Sequence, residues 1–265
     1  MFTKAEIRDQ LERMGVPRDR VVLVHSSLRA VGEVEGRGEG LLDVLIDHCT
    51  AQGGLLCIPT HTWAFGSREF PLDMTVPETC IGTLPNLAAR DARGVRTSHP
   101  SHSMAVFGDS ARVAAFVAGE EKSVTPCHPD GCYGKICDMD GCILLVGVGH
   151  NRNTYLHCVE EILDMPNRLS AEPHEAVVKL ATGEQITQRV RTHKTDFTSD
   201  VSLRFPKYET AFRYHGAIVD GFVGNAPTQC CDARIMKETM EKIWKNCNGV
   251  DPLIDEKDLP PKWYC

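Results

Sequence analysis

The sequence predicts an α/β fold: a layered sandwich with a central, mostly parallel or mixed sheet flanked by helices, and an added antiparallel strand region in the C-terminal half. Three observations carry this expectation. Short apolar runs of strand length, VVLV at 21–24, LLCI at 55–58 and the run from Cys142 to Val148, alternate with longer amphipathic segments of helical period. Each run ends abruptly in a polar cluster, where parallel sheets collect their ligands. From Ala176 the texture changes, and VVKLATGEQITQRVRTH reads as a β-hairpin about a Thr-Gly turn.

Taken in order, residues 4–15 form a helix with Ile7, Leu11 and Met14 on one face. Val21–Val24 is a buried strand that runs into His25-Ser26-Ser27-Leu28-Arg29. Residues 38–51 are helical, with Leu41, Leu42, Leu45, Ile46 and Cys49 as the apolar stripe and Gly53-Gly54 as the stop. Leu55–Ile58 is the next strand and ends at Pro59-Thr60-His61-Thr62. A helix opens at 82–90, a strand follows at 105–107 and a helix at 109–118. Residues 142–148 form a strand and 154–163 a helix. After the hairpin an irregular, charged stretch runs through 210, then a short strand in GAIVDGFVGNAP and a last helix at 232–246. With no internal repeat and no low-complexity linker, the reading is a single domain over 1–265.

Composition excludes some classes of function. A net charge of −7 argues against a nucleic-acid partner, which needs a basic stripe, and is compatible with a cationic substrate. The N-terminus MFTKAEIRDQLERMG lacks the apolar core of a signal peptide, and no apolar run is long enough to cross a membrane, so a cytoplasmic protein is expected. The twelve cysteines include no C-x-x-C pair, and the five-residue recurrence of Cys127, Cys132, Cys137 and Cys142 matches no zinc spacing. Free thiols are the expectation.

Four segments can carry chemistry. HSSLRAVG (25–32) offers two hydroxyls, a guanidinium and backbone N–H groups to a phosphate, or is a polar strand-to-helix turn. It fits neither the P-loop nor the dinucleotide pattern. PTHTW (59–63) sets two threonine hydroxyls and a histidine at a second strand end, or is a loop of local turns. RTSHPSHSMAVFG (96–108) holds His99 and His102, which with His150 and His157 make a metal set on paper, though at no known ligand spacing. GVGHNRNTYLH (147–157) is a glycine turn before a helix whose first turn carries His157, with Glu160 three residues on. That is a general base with a carboxylate on the same helix face, or a capped helix with an ordinary buried histidine.

Taken together, HSSLRAVG, PTHTW, SHPSHSMAVFG, LLVGVGHNRNTYLHCVEE and VGNAPTQCCDAR, in this order, resemble the aminoglycoside 3-N-acetyltransferase family over roughly residues 15–245. The resemblance implies an α/β sandwich that transfers acetyl from acetyl-CoA to a small-molecule amine, with no metal and no covalent enzyme intermediate. It implies His157 as the base, with Glu160 behind it. Carried over, Ser26, Ser27, Leu28 and Arg29 contact CoA. Ser98, His99 and Ser103 also line the CoA side, in a segment one residue shorter after Arg96 than the family pattern. Thr60 and Thr62, or backbone N–H groups, are the expected oxyanion donors. A homodimer is allowed; nucleic acid and membrane are not expected partners. Three other readings stand beside this one: acyl transfer to a non-aminoglycoside amine, a metal-dependent hydrolase built on the histidines, and a non-catalytic CoA-binding protein. The joint presence of His157 and Glu160 argues against the last.

Overall fold

The computed structural model describes residues 1–63, 72–194, 196 and 200–265. The N-terminal half runs α1 (Lys4–Arg13), β1 (Val21–Ser26), α2 (Leu28–Val31), α3 (Arg37–Thr50), β2 (Leu55–Pro59), β3 (Leu72–Asp73), α4 (Thr83–Arg90), β4 (Val95–Arg96), β5 (Met104–Phe107) and α5 (Ser110–Val117). It continues with α6 (Cys132–Asp138), β6 (Cys142–Val146), α7 (Tyr155–Ile162), β7 (His174–Lys179), β8 (Gln185–Val190), α8 (Glu209–Tyr214), β9 (Ile218–Val223), β10 (Ala226–Asp232) and α9 (Ala233–Asn246).

The described residues build a seven-stranded sheet in the order β4-β5-β2-β1-β6-β10-β9. β1 pairs in parallel with both β2 and β6, while β5, β10 and β9 pair antiparallel with their neighbours. A smaller sheet, β3-β7-β8, contains the expected hairpin, which turns at Thr182-Gly183 with Gly183 at φ +86. The mixed sandwich expected from sequence is the observed fold. No helix of the described residues is long and apolar enough to cross a membrane.

Strand alternation creates two cores. Val21, Leu23, Cys57, Ile143 and Leu145 face one layer, with α6, α7 and α9; Val22, Val24, Ile58, Leu144 and Val146 face the other, with α1 and α3. The helices are locally encoded. Thr3 and Glu6 form a reciprocal capping box on α1. Asp232 caps α9, whose Met236, Met240 and Ile243 form one buried stripe.

Three segments depart from the expectation. GAIVDGFVGNAP spans the greater part of a hairpin: β9 and β10 turn at Gly224-Asn225 and extend the main sheet. α6 lies where the sequence shows only spaced cysteines, and Cys132 and Cys137 sit at its two ends. Within the stretch expected to be irregular, Val201–Tyr208 is a 3-10 helix that leads into α8; residues 195 and 197–199 of that stretch lie outside the described residues. None of the twelve cysteines is joined in a disulfide.

Candidate active site

Because β2, β1 and β6 are adjacent and parallel, their C-terminal ends open on the same edge of the sheet. The loops that follow line one cleft of about 970 Å³, reached by Val24, His25 and Ser26 from the first strand end, Pro59 and His61 from the second, and Val148 and Asn151–Thr154 from the third. The polar clusters seen in the sequence therefore do converge.

The turn after β6 explains how His157 is presented. Gly147 has φ +64, and a Cβ there would lie 2.5 Å from the Ala30 Cβ, so only glycine fits without strain. The chain then makes a 3-10 turn at His150–Arg152 and enters α7. Tyr155, Leu156, Cys158 and Val159 point into the core, and the buried Tyr155 hydroxyl donates to the Ala233 carbonyl at 2.9 Å. This pinning leaves His157 at the cleft wall with 11% of its side chain exposed.

His157 Nδ1 lies 3.3 Å from Glu160 Oε2, and Glu160 is completely buried. Arg168 Nε donates to the other Glu160 oxygen, and the two remaining guanidinium nitrogens grip Asp251 at 2.8 and 2.9 Å. Burial works against the Arg168 charge, but its bonds to Asp251 and the charge of Glu160 outweigh that, and its pKa rises. The result is a chain His157–Glu160–Arg168–Asp251 that fixes the imidazole from behind.

A wall of aromatic rings extends from His157 along the cleft. Its ring stacks on His193 at 4.1 Å between centroids; His193 meets His102 at 4.9 Å, His102 meets His61 at 4.5 Å, and His61 meets Trp63 at 4.6 Å. His61 Nε2 and the Tyr133 hydroxyl share a 2.8 Å hydrogen bond. Burial, reinforced by repulsion among these rings, pushes His61, His102 and His193 below the ordinary histidine pKa. At neutral pH these rings are uncharged.

The other expected site residues fall in different places. Ser26 lines the cleft, whereas Ser27 caps the short α2 turn and accepts from the Ala30 N–H at 3.4 Å. Leu28 packs toward the core on the α3 side, and Arg29 is exposed and outside the cleft lining. Thr60 is buried, with its hydroxyl 2.8 Å from that of Ser103 and also accepting from Arg96 Nε at 3.2 Å. Thr62 donates to the Pro100 carbonyl at 2.9 Å. Neither threonine reaches the cleft lining, nor do Ser98, His99 and Ser103. His99 instead accepts backbone N–H bonds from Ser101 and His102 at 3.3 and 3.0 Å and shapes the turn that presents His102. The reason for the threonines is parity. Backbone pairing with 101–103 continues past β2, so Thr60 and Thr62 point away from the side on which His61 stands. His150 is likewise outside the cleft, packed against Phe212 at 5.2 Å.

His99 and His150 are wholly buried, and burial lowers each to a pKa of about 4. The unfolded chain takes up a proton near pH 6.5 that these native rings refuse until about pH 4. Their stability contribution is therefore complete above pH 6.5 and is lost as pH falls from 6.5 toward 4, at about 1.4 kcal/mol per pH unit for each. Urea unfolding should show a steep decline between pH 6.5 and 5; a flat profile there would mean that the native rings accept protons.

Fold and site together define an α/β sandwich whose cleft presents a carboxylate-backed histidine at the strand ends. The model of the family described as aminoglycoside 3-N-acetyltransferase matches residues 23–245, and the chain belongs to that family. It is 32% identical over 167 residues to aminoglycoside N(3)-acetyltransferase IV of Salmonella sp, an alignment covering 62% of this chain and 61% of that relative. It is 26% identical over 257 residues to aminoglycoside N(3)-acetyltransferase VII of Streptomyces paromomycinus, covering 88% of each. Among solved structures, a histidine-to-alanine mutant of aminoglycoside acetyltransferase AAC(3)-IVa in complex with a gentamicin superposes with a TM-score of 0.76 at 25% identity, over 95% of this chain and 92% of that one.

Proposed function

We propose that the protein transfers the acetyl group of acetyl-CoA directly to an amine of an aminoglycoside or similar cationic small molecule, with His157 as general base. The observation that carries this reading is the contact of His157 Nδ1 with buried Glu160. With its proton on Nδ1, the ring keeps the Nε2 lone pair for the acceptor. The neutral amine nitrogen attacks the thioester carbonyl carbon as His157 removes one N–H proton. Collapse of the tetrahedral intermediate breaks the C–S bond, and the thiolate takes up a proton to leave as free CoA beside the amide. With the Thr60 and Thr62 hydroxyls engaged inside the protein, the imidazoles of His61 and His102 are the better oxyanion donors.

For the cofactor, the cleft offers the Ser26 hydroxyl and the exposed Arg152 and Lys194 cations, a set suited to polar and phosphate groups. Free thiols throughout and the use of acetyl-CoA both suit the cytosol. Calorimetry should show CoA binding; none at millimolar concentration would remove this reading.

One observation favours a second acceptor class. Among the described residues lining the cleft, Asp200 is the one carboxylate. A polycation would draw little electrostatic help from it, so a less highly charged amine fits the same chemistry. Thiol release from acetyl-CoA, measured with aminoglycosides alongside simple amines, separates the two. Cys158 is buried and its pKa is raised well above normal by burial and by Glu161, which leaves it a thiol of little nucleophilicity. Cys158→Ala should retain most of the turnover, and an acetyl-cysteine trapped in mass spectrometry would contradict direct transfer.

A further inference from the structure

A second group of side chains converges at the same wall, sharing His193 with it, and supplies no reacting atom to the reaction above. Cys127 comes from the segment before α6, Glu161 from α7, and His193 from the segment after β8. The Cys127 sulfur, a Glu161 carboxylate oxygen and a His193 ring nitrogen all lie within 4.8 Å of one another. Successive helix residues point about 100° apart, so Glu160 and Glu161 serve different partners. The first faces His157 and the second faces His193.

One spacing within this group, that of His193 and Glu161, is that of ligands around an ion. His193 Nε2 stops 3.6 Å from Glu161 Oε1, beyond hydrogen-bond range, and this buried nitrogen has no hydrogen-bond partner among the described residues. The gap matches the edge of roughly 3.3–3.8 Å between ligands of a tetrahedral ion with bonds of about 2.0–2.3 Å. The carboxylate is already oriented from outside: Oε1 accepts the Cys127 N–H at 3.1 Å, and Oε2 accepts the Thr125 hydroxyl. Ligating carboxylates have such supporting bonds. Cys127 is wholly buried, and the Glu161 side chain is 4% exposed.

We infer that Cys127, Glu161 and His193 form a binding site for a divalent transition-metal ion, for which zinc best matches the donors. A thiolate, an imidazole and a carboxylate suit Zn²⁺ and do not suit Mg²⁺ or Ca²⁺, which take oxygen ligands. As the metal–sulfur bond forms, the Cys127 thiol releases its proton to solvent. The fourth position is left to water. The ion ties together three distant segments and holds the His193 ring on which His157 stacks.

The test uses the full chain, freed of metal by chelator and dialysis. Titration with Co²⁺ should give one equivalent bound and a thiolate-to-cobalt charge-transfer band, and Zn²⁺ should displace it. Cys127→Ser should abolish that band. His193→Ala should weaken Zn²⁺ binding by more than about tenfold, since loss of even a supporting group costs that much. His157→Ala should leave stoichiometry and band unchanged. Because Cys127 is buried and its variant can misfold, circular dichroism accompanies both, and His193→Ala decides alone if Cys127→Ser is unfolded. No cobalt band in the wild type, or undiminished binding in a folded His193→Ala protein, overturns the inference; the latter would place the metal on other thiols.

Discussion

Replacing His157 by Ala is expected to abolish acetyl transfer while leaving CoA affinity nearly unchanged. The imidazole removes a proton from the attacking amine, and that demand arises in the transition state, so the loss should fall on kcat. General-base assistance is worth about 10²–10⁴ in rate. The ring sits at the cleft wall with its second nitrogen held by buried Glu160, which is the arrangement such a base needs. Glu160→Gln should cost less than His157→Ala, because it alters the support of the ring and leaves the base itself in place. Steady-state kinetics with an accepted amine, together with CoA calorimetry on each variant, checks both statements. If His157→Ala keeps more than about a tenth of the wild-type kcat, well short of that loss, then His61 or His102, which share the cleft, should be tested as the base.

The second large effect concerns Arg168, a residue to which the sequence drew no attention. Its side chain is 3% exposed and lies between Glu160 and Asp251. Arg168→Ala would strand the Glu160 carboxylate in the core without its counter-charge, and breaking a buried pair from one side costs about 3–5 kcal/mol. In a chain of this size each kcal/mol lowers the melting temperature by about 2–4 °C, so a drop on the order of 10 °C is expected. Arg168→Lys restores the charge but not the planar fork that reaches both carboxylates, and should recover only part of the loss. Turnover should fall in both variants as Glu160 loses its fixed position under His157. A melting temperature for Arg168→Ala within 2–3 °C of wild type, the effect of about 1 kcal/mol or less, would show that the pair does not hold this region.

The legible parts of the chain are those where local chemistry decides. Apolar period marked β1, β2, β6, α3 and α7, and the Gly147 turn followed by His157 and Glu160 could be read directly because strand, turn and helix are contiguous. α6 was hidden for a local reason: the helix is only seven residues long and carries Gly134 in its interior. β9 and β10 read as one segment because Gly224-Asn225 is a short turn between two runs that are each polar on one side. In PTHTW the two hydroxyls flanking His61 drew the oxyanion assignment, and only the pairing of this segment with 101–103 reveals which parity faces the cleft.

The sequence by itself determined the α/β class and the local presentation of His157 beside Glu160, since each depends on residues within a few positions of one another; that the three strand ends converge follows from the strand order. Tertiary structure alone decided the rest of the site. The rings of His61, His102, His157 and His193 meet across sequence separations as large as the one from His102 to His193, and Arg168 joins Glu160 to Asp251, which lies 83 positions beyond Arg168. No period or spacing along a chain encodes such contacts. They follow from strand order, from register, and from the burial that makes a charged or polar side chain take the partner that the packing brings within reach.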